Sequence, residues 1–119
     1  MYKKSKVHAL PLNYNEHQAI KGIINEISRE YSHIKRIIIY GSKTRGDFSE
    51  DSDIDLLFIT ETELSRSLKY QILDRIYNYE LKNDIVISAL FITESDFNKK
   101  VNPFLRQVKK EGIILWWRE

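Results

Sequence analysis

No cysteine occurs among the 119 residues, which excludes a disulfide framework, a thiolate metal site and a thiol nucleophile. This usage fits a reducing compartment. Glycine and proline are scarce: four and two, six of 119 residues, against the roughly 12% of average usage. A long flexible linker and a low-complexity tail are thereby excluded. Net charge is only +2, from 19 basic and 17 acidic residues. That lacks the basic excess of a strong nucleic-acid binder, so a nucleic-acid partner is not expected. The basic start, Met1 to Lys6, is not followed by the apolar run of about 7–15 residues that a secretory signal needs. No stretch approaches the ~20 apolar residues of a membrane span. The expectation is a cytoplasmic protein without a membrane segment. The three histidines, His8, His17 and His33, are dispersed and show no ligand spacing.

What is present is ordinary for a globule, 42% hydrophobic and 30% charged. One domain spanning 1–119 is expected, with 1–12 as an irregular N-terminal arm. From Asn15 to about Ser32, the apolar residues Ile20, Ile23, Ile24, Ile27 and Tyr31 follow the spacing of one helix face. Asn13 or Asn15 can cap it. Arg36 to Tyr40 reads as a buried strand ending at Gly41-Ser42, and Asp53 to Thr60 as a second strand. Leu64, Leu68, Ile72 and Ile76 mark a second helix over about Glu63–Asn78, and Ile85–Ile92 a third strand. Thr93-Glu94-Ser95-Asp96 opens a short helix through Val101. Asn102-Pro103 starts another, which Gly112 stops. Ile113 to Trp117 is a last extended segment. The order α-β-loop-β-α-β-α-α-β suggests an α+β, two-layer fold: a small mixed sheet of three or four strands with helices packed on one face.

The chemistry concentrates between the first two strands. Residues 47–55 hold Asp47, Glu50, Asp51, Asp53 and Asp55 and no base. Asp53 and Asp55, two apart on a strand, share a face, with attachment points roughly 6.6 Å apart. Ile54, Leu56 and Phe58 then face the helices. Two carboxylates so placed repel each other unless a cation lies between them. With no cysteine and no clustered histidine, oxygen-only ligation favours Mg²⁺ or Mn²⁺. Gly41-Ser42 leaves a buried strand directly, and Gly46 lies five residues on. Such a turn aims N–H groups and a hydroxyl outward, which suits a phosphate. Lys43 and Arg45 can add positive charge.

Gly41-Ser42-Lys43-Thr44-Arg45-Gly46, a six-residue spacer and Asp53-Ile54-Asp55-Leu56-Leu57 together resemble the signature of the DNA polymerase β-like nucleotidyltransferase superfamily. More narrowly, the chain is similar to the stand-alone minimal nucleotidyltransferases of bacteria and archaea. Asp96-Phe97, Pro103-Phe104 and Glu111-Gly112 add to the likeness. The resemblance implies that Gly41, Ser42, Arg45 and Gly46 bind the nucleotide, ATP or another NTP, and that Asp53 and Asp55 bind two Mg²⁺. A nucleoside monophosphate would pass to a hydroxyl. Short members resemble the antitoxin half of pairs whose partner is a helical HEPN-type ribonuclease toxin, which implies adenylylation of a toxin tyrosine. The resemblance also implies a third carboxylate from the neighbouring strand. Asp84 is the acid at that strand's start, but alignment backwards from Thr93–Phe97 puts Ser88 in its place. The two share a face but lie ~13 Å apart along the strand. With Ser88 there, the alternative is a weak or inactive module that neutralises its partner by contact. Of Trp116 and Trp117, adjacent on a strand, one is expected in the core and the other exposed as a docking anchor. Tyr70 and Tyr77, one heptad apart, are expected at the core edge.

Overall fold

The structure, a computed structural model, describes residues 10–45 and 52–119. Helix α1 spans Tyr14–Glu30, β1 Ile34–Tyr40, the short α2 Ser42–Arg45 and β2 Ile54–Thr60. Helix α3 spans Arg66–Asn83 and β3 Ile87–Thr93; α4 (Glu94–Lys99), α5 (Pro103–Glu111) and β4 (Ile113–Trp117) follow. Asn13 caps α1 through a capping box. Its side chain accepts from the Glu16 N–H at 2.8 Å, and Glu16 accepts from the Asn13 N–H at 3.0 Å.

The four strands lie in the order β3-β2-β1-β4. β1 runs antiparallel to β2 and β4, while β2 and β3 are parallel because α3 carries the chain back between them. Period-2 alternation divides the strands between two cores. Ile37, Ile39, Ile54, Leu56 and Phe58 meet Ile20, Ile23 and Ile27 of α1 and Ile72 and Ile76 of α3. Ile38, Leu57 and Ile59 point the other way and meet Phe97 of α4 and Leu105 and Val108 of α5. The mixed sheet agrees with expectation, and the two long helices do share one face. The second face is not bare, however: the short amphipathic α4 and α5 cover part of it.

Three further expectations are corrected. The second helix begins and ends later than its leucine repeat suggests. The Ser65 hydroxyl caps it by accepting from the Leu68 N–H, and Asp84 ends it in a left-handed conformation, φ 53°. Tyr70 and Tyr77 lie on its exposed side; Tyr79, which packs against Gly22 and donates to Glu26 at 2.7 Å, faces α1 instead. At the C-terminus, Trp116 is buried and Trp117 half-buried, so neither is a fully exposed anchor. The register shift of β4 opposite Ile37 and Ile38 is a bulge that lets Leu115 and Trp116 enter the same core. Of the N-terminal arm, positions 1–9 lie outside the described residues, while Leu10 is buried in the larger core. No helix among the described residues is long and apolar enough to cross a membrane.

Candidate active site

Strand pairing assembles the site. Asp55 sits between Tyr40 of β1 and Ser88 of β3 in register. Register partners in adjacent strands share a face, so all three point to the α4–α5 side with Leu57 and Ile59. Asp53, two residues before Asp55, joins them and is exposed, whereas Asp55 is half-buried. Burial, and next the charge of Asp53, hold the Asp55 carboxyl above the ordinary carboxylate range, with Arg45 partly offsetting them. Tyr40 beside it is pushed up to about 12, by burial and then by Asp55. Its ring meets Phe104 edge-on, centroids 5.5 Å apart.

The turn that leaves β1 is pressed against this pair. Gly41 has φ +84°, and a Cβ there would lie 2.4 Å from Asp55 Oδ2. Only glycine combines that backbone with so close an approach. Thr44 closes the turn, its N–H and hydroxyl both reaching the Gly41 carbonyl, at 3.0 and 2.8 Å. The single helical turn that follows points Lys43 and Arg45 to opposite sides, since two residues rotate about 200°.

Lys43 does not face the site. It is 1% exposed and pairs with Glu16 of α1 at 2.7 Å, so it anchors α2 instead of meeting a phosphate. Arg45 stays on the outer side and meets Glu111, with Nη1 3.0 Å from Oε1 and 3.2 Å from Oε2. The same Oε1 accepts the Gly41 N–H at 3.0 Å, and Gln107 donates to Oε2 at 2.7 Å. In the sequence, Glu111 stands only within the Glu111-Gly112 pair that adds to the family likeness, with no role attached; that pair is the available signal.

Of the sequence candidates, the fold gathers Gly41, Asp53, Asp55 and Arg45, with Ser42 opening α2 between them. Gly46 lies outside the described residues. Asp84 is exposed and serves as the cap of α3, its N–H bonded to the Glu80 carbonyl. Ser88, four residues on, is the β3 residue in register with Asp55. Along the same face runs a groove of about 380 Å³, lined by Leu57, Leu90, Phe104 and Leu105 among others.

The donor set fits a hard divalent cation: it is all oxygen, and it sets the half-buried Asp55 beside the like charge of Asp53, a repulsion that a cation would relieve. No group of three or more acidic, histidine or cysteine side chains is poised for a metal among the described residues. Asp53 and Asp55 would therefore supply only part of a coordination shell, leaving room for phosphate oxygens and water.

Comparison with known proteins shows the family. The sequence profile of the "Polymerase beta, Nucleotidyltransferase" family matches residues 23–119, and the chain belongs to that family. It is 38% identical over 104 residues to "Putative protein adenylyltransferase MJ0604" of Methanocaldococcus jannaschii, covering 86% of this chain and 99% of that protein. Among solved structures, a chain of a toxin–antitoxin complex with AMP-PNP aligns with TM-score 0.61 at 17% identity, over 83% of this chain and 73% of that one. A chain of the tri-AMPylated Shewanella oneidensis HEPN toxin in complex with MNT antitoxin aligns with TM-score 0.57 at 15% identity, over 87% and 73%. At these identities the structural matches establish the fold.

Proposed function

We propose that this chain is a divalent-metal-dependent adenylyltransferase that moves AMP from ATP to a tyrosine hydroxyl of a HEPN-type helical partner. The observation that carries the reading is the Gly41 turn packed directly on Asp55, with Asp53 on the same face. That juxtaposition can hold a polyphosphate against a cation. Membership of the family and the adenylyltransferase name of the 38%-identical relative support it.

In the reaction, the acceptor oxygen bonds to the α-phosphorus, the bond from that phosphorus to the bridging oxygen breaks, and pyrophosphate leaves. Gly41, Ser42 and Arg45 would orient the triphosphate, and Asp53 and Asp55 would hold Mg²⁺ or Mn²⁺. When bound, the cation neutralises phosphate charge. Ser88, in register with Asp55, offers no carboxylate to take the acceptor's proton, which would pass to a weaker acceptor such as water. A weak proton acceptor suits an acidic hydroxyl. Tyrosine, with its pKa of about 10, loses its proton far more easily than an aliphatic alcohol.

Ser88 also favours a second reading, a module that binds its partner without chemistry. Incubation with α-labelled ATP, Mg²⁺ and a purified HEPN-type helical protein separates the two. Label on a partner tyrosine is the expected result. A stable complex that never acquires label would favour the second reading.

A further inference from the structure

Glu111 is oddly placed for its own helix. An acid in the last turn of α5 opposes the helix dipole, where Lys109 and Lys110 are favourable. Yet its side chain is only 11% exposed, and its carboxylate takes three donors: the Gly41 N–H, the Arg45 guanidinium and the Gln107 amide. Burial opposes its ionisation, but the hydrogen bonds from Gln107, Arg45 and Gly41 outweigh that and hold the carboxyl below the usual range. Glu111 also adds to the negative field at Asp55. A backbone N–H beside a guanidinium is a donor set that equally fits a phosphate oxygen.

We infer that Glu111 is a resident anion in the nucleotide cradle: its carboxylate holds the Gly41 N–H and Arg45 until a polyphosphate takes Arg45 from it, so Glu111 sets the affinity for nucleotide. This rests on the reading of Gly41–Arg45 as the phosphate-binding turn. The clasp keeps the turn shaped without ligand and lowers affinity by making phosphate compete for a partnered arginine. It also removes a carboxylate from Arg45 only when another anion arrives, which limits binding to ligands with enough charge to win the exchange.

The test is binding of Mg·ATP and of inorganic tripolyphosphate to wild type, Glu111→Gln, Arg45→Gln and the double variant. Glutamine can still accept the Gly41 N–H but takes the Glu111 charge away from Arg45. Glu111→Gln is expected to tighten both ligands about 5- to 30-fold, in the range of a charge-assisted contact. Arg45→Gln is expected to weaken them, and the gain from Glu111→Gln should vanish in its background. An unchanged or weaker Kd in folded Glu111→Gln overturns the proposal. So does a gain that persists without Arg45, since that would be general charge removal. Should Glu111→Gln fail to fold, NMR of the wild type decides. Saturating tripolyphosphate must move the Arg45 side-chain Nε resonance, and an unmoved one refutes the exchange. Tighter binding without label transfer would sink the adenylyltransferase reading and keep this one. Label transfer with no gain in Glu111→Gln would do the reverse. No binding of either ligand to any variant would end both.

Discussion

Asp55→Asn is expected to lower nucleotidyl transfer by at least about 100-fold, the scale of losing one preorganised electrostatic contact in a reaction of this type. The same change should raise the melting temperature of the metal-free protein. Burial and Asp53 lift the Asp55 carboxyl above its ordinary range. A carboxyl whose pKa rises on folding stabilises the fold only while protonated. That contribution is complete below the unfolded pKa and is lost as pH climbs through the folded one. Near neutral pH the ionised Asp55 therefore costs stability, and asparagine removes the cost. A gain of about 1–4 °C is expected in EDTA, shrinking as the pH is lowered toward the carboxylate range. Thermal melts at pH 4.5 and 7.5, paired with label-transfer rates, check both halves. Loss of activity together with loss of stability would show that Asp55 is a structural residue.

Lys43→Met should have the largest effect on stability. The Lys43–Glu16 pair is almost fully buried, its side chains 1% and 5% exposed, with a 2.7 Å contact. Removing one partner strands the other's charge in the interior, which costs about 3–5 kcal/mol. For a chain of this length that is a fall in Tm of roughly 10–20 °C. Lys43→Met combined with Glu16→Gln should recover most of the loss, since neither member of this pair then carries a charge and glutamine keeps the capping box with Asn13. A single variant that melts within about 3 °C of wild type would mean that the pair does not anchor α2 to α1.

How far the sequence could be read follows from the range of each interaction. Local patterns carried most of the elements. The isoleucines of α1, the Asn102-Pro103 start of α5 and the parity of Asp53 and Asp55 depend on neighbours a few residues away. The covering of the second sheet face was not legible, because Phe97, Leu105 and Val108 reveal their partners only once Ile38, Leu57 and Ile59 are paired into a sheet. The same holds at the site. Lys43 in a Gly-Ser turn reads as a phosphate contact, and only the arrival of Glu16 from α1 shows that it turns inward. Glu111 reaches Gly41 across 70 positions, a contact that no local spacing encodes. The β4 bulge, which brings Leu115 and Trp116 to one side, likewise depends on the register opposite β1. Between Asp84 and Ser88 the sequence leaves the choice open, family likeness favouring Ser88 and chemistry the acid; only the pairing of β3 with β2 sets Ser88 beside Asp55.

Nucleotidyl transfer by this chain requires Asp53 and Asp55 to hold a divalent cation against a polyphosphate seated on the Gly41 turn. Crystals grown with Mn²⁺ and a non-hydrolysable ATP analogue test it most directly. Anomalous density is expected between the two carboxylates and the phosphates, with Arg45 on the polyphosphate. Manganese elsewhere, or a nucleotide bound away from Gly41 with Asp53 and Asp55 turned to solvent, would contradict it.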